Sequence, residues 1–422
     1  MRILRIEHNS FSKTRNNGLT AEDLFSVFPK ESISQLFFRP LGKEADDLDY
    51  AEYNFLISDS DIVSKLKGAK KCGDQIFEEV EVHGENNITS RKSRYAKIRF
   101  LRDALWSTNV WKTGELKQWL AQVKPDIILL GASSQTFPFK VATYIAEYMD
   151  IPCVLTCGDD YIAYPQYSKW YEKLQKSRLR KEYKKFVKRC SACFAISEEM
   201  SECYSDYFGC HFNVLPRPVD IPMFSEETRR EKPIISYFGG LALNRWDMIA
   251  RLASLCGDIA EFRVYSFTPL DENMKNRFGQ TGVHYMGALS GEELKKAMRE
   301  SNIMLHVESD DKLNSSFTRL AVSTKIPEYL VSGRLTIGFG PSYLASMKVL
   351  SKHNVGVVID SQTKNEDIIK YLTRLTADYE ERRAIALKAY KYVETNYSKE
   401  KITSVFALTL QCVVDSYSNA KK

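Results

Sequence analysis

Between residues 319 and 334 the chain gathers cations, hydroxyls and a carboxylate in the order Arg319, Ser323, Thr324, Lys325 and Glu328. Pro327 is tolerated in the first turn of a helix, where its missing N–H would be unpaired in any case. Glu328, Tyr329, Leu330 and Val331 continue that short helix, which Gly333 ends. Leu335 to Phe339 then reads as a buried strand closed by Gly340-Pro341. Backbone N–H groups at a helix start, beside Arg319 and Lys325, would attract an anion. A carboxylate in the same turn suits hydroxyl groups instead. A blander reading of the same residues stays open, in which Glu328 complements the helix dipole and Lys325 is a solvated charge.

The rest of the chain supplies the elements that must position this stretch. Short apolar runs alternate with helical patterns, the signature of βαβ units and parallel sheets. In the first half, strands are expected at Arg2–Ile6, Ile33–Phe38, Pro125–Leu130, Pro152–Thr156 and Ala192–Ile196. Residues 43–122 read as mostly helical, with a loop near Val82 to Thr89. His8 to Gly18 reads as a polar loop ending in Asn16, Asn17 and Gly18, placed for substrate contact at a strand's carboxyl end or forming a plain turn. The fourth of these strands runs into Cys157-Gly-Asp-Asp-Tyr161, where either Asp159 or Asp160 could instead cap an Asx-turn. Two prolines in Asn213-Val-Leu-Pro-Arg-Pro-Val-Asp220 and the charged stretch through Glu231 mark a linker.

The pattern restarts with a strand at Ile234–Phe238. Gly239-Gly240 lets the backbone turn tightly towards a ligand, and Arg245 lies in the loop before the next helix, its planar fork suited to two phosphate oxygens. Further strands are expected at Phe262–Tyr265, Val283–Met286, Ile303–Val307 and Val355–Ile359, with a capping box at Ser290-Gly-Glu-Glu293 and a flexible loop from Asp310 to Ser316.

With 422 residues and 44% hydrophobic content the chain is globular and suits two domains. The net charge of +6 is small, so any basic surface must come from local clustering. No apolar run approaches the ~20 residues that span a bilayer, and the N-terminus reads as a strand rather than a signal segment. The nine cysteines, an odd number, suggest a reducing cytoplasm; Cys190-Ser-Ala-Cys193 leaves a zinc or redox role open. Two segments, 169–189 and 91–102, combine many cations with aromatic and aliphatic residues. Either is a solvated basic face or a surface for anionic lipid. No recognised nucleic-acid module accompanies them.

Ser323-Thr-Lys-Ile-Pro-Glu-Tyr-Leu-Val-Ser-Gly333 with its following strand resembles the donor-site signature of GT-B glycosyltransferases related to family 4. The resemblance implies an α/β fold of two Rossmann-like domains with parallel sheets facing across a cleft. An acceptor-binding domain would cover residues 1–217 with a helix at about 399–420 returning to it, and a donor domain residues 232–398. It implies that Gly239, Gly240, Arg245, Arg319, Ser323, Thr324 and Lys325 meet the diphosphate of a nucleotide sugar, and that Glu328 holds the ribose hydroxyls. Arg245 and Lys325 would be catalytic through the leaving diphosphate's charge, Asp159 and Asp160 through the sugar and acceptor, and Asn16, Asn17 and Gly18 would contact the acceptor. In one place the chain departs from the pattern: the family's first glutamate would stand eight positions before Glu328, where this chain has Leu320. The expected activity is transfer from a UDP-sugar to a glycan, lipid-linked, in surface-polysaccharide synthesis. It is expected to retain anomeric configuration and to need neither metal nor cofactor, in the cytoplasm at the inner face of the membrane and without nucleic-acid partners. The alternatives are a silent nucleotide-sugar-binding scaffold and a nucleotide-sugar epimerase on the same fold.

Overall fold

Apolar runs bounded by turn formers become two sheets in the computed structural model, which describes residues 1–12, 16–40, 47–77, 92–163 and 169–421, without the side chains of 16–20 and 92–97. The chain divides into two compact units, Met1–Pro218 with Ile402–Lys422, and Val219–Lys401.

The first unit holds β1 (Ile3–Asn9), β2 (Ile33–Arg39), β3 (Tyr53–Leu56), β4 (Asp74–Gln75), β5 (Ile127–Gly131), β6 (Cys153–Cys157), β7 (Cys190–Ala195) and β8 (Phe212–Val214). They lie in the order β4-β3-β2-β1-β5-β6-β7-β8, parallel except for the antiparallel pair β3/β4. The strand order reverses between β1 and β5, where ligands of open α/β sheets bind. Two strands, β3 and β4, lie inside the stretch expected to be helical. β3 pairs with β2, and β4 is a two-residue edge strand, too short to show a period of its own. The expected loop at 82–89 lies outside the described residues. Asn16, Asn17 and Gly18 do not form a loop; they open the helix Asn16–Phe25, whose first turn has no intrahelical partners for its N–H groups to lose. The helix Lys399–Asn419 sets Phe406 among Phe25, Phe28 and Phe194 at ring-centroid distances of 6.1, 6.3 and 5.6 Å.

In the second unit, β9 (Ile234–Phe238), β10 (Glu261–Tyr265), β11 (Val283–Gly287), β12 (Ile303–Val307), β13 (Leu335–Gly340) and β14 (Val357–Asp360) form an all-parallel sheet, order β11-β10-β9-β12-β13-β14. Its order reverses between β9 and β12. The expected loop from Asp310 is a helix, Lys312–Thr318, because the Asp311 side chain caps it by accepting from the N–H groups of Leu313 and Asn314. Arg245 is the first residue of the helix Arg245–Cys256 rather than part of the loop before it. Ser290 stands at the N-cap position of Gly291–Glu300 but makes no side-chain cap bond, so the expected capping box does not form.

The segment read as a linker is fastened to this unit. Arg334, 1% exposed, donates to the carbonyl oxygens of Ser225, Glu226, Arg299 and Ser301. Arg382, also buried, pairs with Glu227 at 2.6 Å. Gly333, at φ 76°, ends the helix before β13, and a Cβ there would fall 2.7 Å from the Ser225 carbonyl oxygen. Neutralising Arg334 would leave several buried carbonyls without a donor. Arg334→Met should therefore cost about 3 kcal/mol or more of stability, read as a lowered thermal midpoint. A midpoint within a degree of wild type would show that these bonds hold nothing together.

Candidate donor site

The site in the second unit begins with a parting of strands. β9 pairs with β12 only at Ile235 and Ser236, so the end of β9 has lost its neighbour on that side. The backbone of Phe238 is satisfied by a side chain: its N–H donates to Tyr329 Oη at 2.9 Å, and Tyr329 Oη donates to its carbonyl at 2.8 Å. Tyr329 is 1% exposed and belongs to the helix Lys325–Leu330. One phenol thus fixes that helix to the turn after β9. Gly239 adopts φ 156°, its N–H donating to the Tyr265 carbonyl at 3.0 Å, and Tyr237 Oη donates to the Gly240 carbonyl at 2.7 Å.

Arg245 stands at the switch point between β9 and β12. Its Nη2 lies 3.1 Å from both oxygens of Glu308, which follows β12 and is 2% exposed. His306 Nε2 lies 3.3 Å from Glu308 Oε1. Burial pushes the Glu308 carboxyl up, but the Arg245 guanidinium and His306 outweigh it and hold it below the usual carboxylate range. The same pairing outweighs burial at Arg245 and raises its guanidinium. Glu308 was not among the residues singled out from sequence. Its signal is an acid directly after the buried run Ile303–Val307, at a strand's carboxyl end.

On the facing helix, Lys325 Nζ is 2.8 Å from Glu328 Oε2, each about a fifth exposed. The Ser323 N–H donates to Ser346 Oγ at 3.0 Å, and Ser323 Oγ accepts from the Lys325 N–H at 3.4 Å. Thr324 is the helix's N-cap residue and makes no side-chain cap bond. Arg319 is exposed at the end of the helix Lys312–Thr318, its carbonyl accepting from the Ala345 N–H. Leu320 is 4% exposed and part of the core. The Tyr329 bonds thus hold the helix that carries Lys325 and Glu328 against the end of the strand that runs into Gly239 and Gly240. Among the described residues, no group of three His, Cys, Asp or Glu side chains is placed to hold a metal ion.

In the first unit the two aspartates separate. Asp160 is buried and accepts from the N–H groups of Ile162 and Ala163 and from Tyr204 Oη, all within 2.9 Å, so it is the cap of an Asx-turn rather than a reactive group. Asp159 keeps an exposed edge and accepts from Tyr161 Oη at 3.1 Å, but the protein packed around its carboxyl raises it by desolvation, with Asp160 adding to the effect and Tyr161 opposing it. Near it lies Glu7, a carboxylate the sequence did not single out. A Cβ on Gly131 would fall 1.7 Å from Glu7 Oε1, so the glycine at the end of β5 is what admits this side chain at the β1/β5 switch point. Burial raises Glu7, against the pull of Arg5. His8 is pushed down to about 4 by burial and by Arg102 and Arg39, which keeps it neutral. Asn16, Asn17 and Gly18 are placed only as helix backbone.

The basic segment 169–189 forms the helix Trp170–Val187, and of its aromatic and aliphatic residues Tyr171, Tyr183, Phe186 and Val187 are buried in the core. Trp170 and Leu174 stay exposed, at 70% and 36%, beside the cations Lys173, Arg178, Lys181, Lys184 and Lys185. The helix Lys92–Trp106 packs against it and exposes Ile98 and Leu101. Arg91 lies outside the described residues. No described helix is long and apolar enough to cross a membrane. All nine cysteines are free thiols.

The folded carboxyl of Glu308 titrates below its unfolded value of about 4.3. Its pairing with Arg245 therefore stabilises the fold above that value and is lost as pH falls through the lower, folded one. Glu308→Gln should melt below wild type at neutral pH, and the gap should narrow as pH falls from about 4.3 to the lowest pH at which wild type stays folded. A gap that stays constant down to that pH would assign the loss to packing instead of charge.

Comparison with known proteins agrees with this fold. The sequence signature of Glycosyltransferase Family 4 matches residues 74–221. No curated protein matches the sequence. Among solved structures, HepE of Anabaena in complex with UDP superposes with a TM-score of 0.67 at 11% identity, covering 98% of this chain and 100% of that one. The trehalose 6-phosphate synthase of Burkholderia multivorans gives 0.63 at 11% identity, over 100% and 98%. TarM gives 0.62 at 12% identity, over 96% and 98%. At such identities the likeness is one of fold. The protein has the fold of the GT-B glycosyltransferases, and its residues 74–221 match the Glycosyltransferase Family 4 signature.

Proposed function

We propose that the second unit binds a UDP-sugar and that the first receives a glycan acceptor, lipid-linked, in the synthesis of a surface polysaccharide. The observation that carries the donor half is the Tyr329 contact, which sets Lys325 and Glu328 beside the glycine turn and the switch point holding Arg245. UDP or UDP-glucose is bound in three of the HepE structures whose fold this chain shares. Arg245 and Lys325 would offset the charge that develops on the leaving diphosphate, with Arg319 at the margin, and Glu328 would take the ribose hydroxyls. Arg245 is oriented before any ligand arrives, because Glu308 grips its fork from behind. Charge held in place in this way supplies much of the rate enhancement in many enzymes. Asp159, with Glu7 near it, is the carboxylate available to an acceptor hydroxyl. Two cations on a diphosphate do the work of a metal ion, so no divalent cation or other cofactor is required. Retention of anomeric configuration is carried by the family resemblance.

The acceptor's lipid link rests on the paired helices Lys92–Trp106 and Trp170–Val187. Their exposed Ile98, Leu101, Trp170 and Leu174 among several cations suit the interface of an anionic bilayer, at the inner face of the plasma membrane. Each cation near such a surface contributes on the order of 1 kcal/mol.

Lys325→Ala should lower turnover by on the order of a hundredfold while remaining folded, and Arg245→Lys, which keeps a cation beside buried Glu308 but loses the planar fork, should lower it as well, with UDP release from the sugar donor as the assay. The same assay should run unchanged in excess EDTA. Wild-type turnover in either variant at saturating donor, or magnesium-rescued loss in EDTA, refutes the respective assignment. Vesicle co-sedimentation addresses the membrane: binding should rise with anionic lipid, fall with salt, and drop in Trp170→Ser. Equal recovery with neutral and anionic vesicles would leave a soluble acceptor.

A further inference from the structure

Past the end of β10 the chain holds an aromatic ring in water. Phe267 is 72% exposed, yet the residues on either side of it are tied down. Ser266 is buried and its N–H donates to the Gly287 carbonyl at 2.8 Å. Tyr285 Oη lies 2.8 and 2.9 Å from the carbonyl oxygens of Ser266 and Thr268. The Thr268 N–H donates to Ser266 Oγ at 3.0 Å, and Thr268 Oγ1 accepts from the Leu241 N–H at 3.1 Å. Those last bonds clamp the Phe267 turn to the Gly239-Gly240 turn, and a Cβ on Gly240 would sit 3.5 Å from Phe267 Cζ. The backbone on both sides of the ring is thus held while the ring itself stands in solvent.

The placement says which ligand it faces. Arg245 and Glu308 lie on the β12 side of β9, and Phe267 follows β10 on the other side. Between them Tyr329, next to Glu328, is bonded to Phe238 at the end of β9, and Phe238 stacks on Tyr265 with ring centroids 4.6 Å apart. A nucleotide with its diphosphate at Arg245 and its ribose at Glu328 points its base towards β10. We infer that Phe267 is the stacking platform for the donor's nucleobase, a specificity residue that rests on the donor reading above. A benzene ring carries no hydrogen-bond group, so it offers a π-face, which a planar base matches better than a hydroxyl-bearing sugar does.

The test is calorimetric titration of the full chain with UDP and, separately, with inorganic pyrophosphate. Phe267→Ala should weaken UDP about tenfold, in the range of a single base–aromatic stack, and Phe267→Trp should restore it. Pyrophosphate, which lacks the base, should bind wild type and both variants alike. An unchanged UDP affinity in Phe267→Ala overturns the proposal, and a raised KM for donor sugar with UDP binding intact assigns the ring to the sugar instead. Equal weakening of UDP and pyrophosphate also overturns it, because the ring would then act through the glycine turn. If wild type binds none of UDP, GDP or ADP, the donor reading itself falls, and this proposal with it.

Discussion

The second unit depends on one phenol. When β12 parts from β9 after Ser236, the strand's last N–H and C=O are left facing a crevice, and an unpaired buried backbone group is costly. Tyr329 answers both from the helix Lys325–Leu330. A purely structural demand, the satisfaction of two backbone groups, thereby fixes the distance between a cationic helix start and a glycine turn. The crevice that the parting creates is the same one in which open α/β sheets bind ligands. The opening and the means of lining it have a single cause.

Around that contact, charges are arranged in pairs that keep at least one group in reach of solvent. Glu308 is almost fully buried while Arg245 keeps a fifth of its side chain exposed. Lys325 and Glu328 are exposed to similar extents and bridge one another. A buried carboxylate is tolerated only with a partner, and here the partner is the group that an anionic ligand would meet. The first unit builds its carboxyl-end site differently. Glu7 and Asp159 sit where desolvation raises both, with Gly131 giving the space and Asp160 spent on holding the turn.

The same residue types serve different ends in the two basic helices. In Trp170–Val187 the aromatic and aliphatic stripe that could have met a bilayer is consumed by the core, where Tyr183 packs 4.4 Å from Phe139. Only the residues near its start remain outside, next to those of Lys92–Trp106. An amphipathic helix has one apolar face, and a sheet beneath it takes precedence.

By itself the sequence determined the doubly wound class and most of the strands, because parallel strands buried on both faces leave continuous apolar runs such as Ile127–Leu130 and Ile303–Val307. The turn at Gly239 and the short helix around Pro327 were legible for a related reason: turns and helix starts demand particular residue types at fixed spacing. Beyond reach were β3 and β4, a short strand and a two-residue edge strand with too few positions to show a period. Tertiary structure alone decided that Asp160 is a cap and Asp159 is not, since the hydroxyl of Tyr204 comes from 44 residues away. It alone joined Arg245 to Glu308 across 63 residues and Tyr329 to Phe238 across 91. Local pattern encodes which face of an element is apolar; which polar group finds which across a sheet is fixed only when the strands have taken their order.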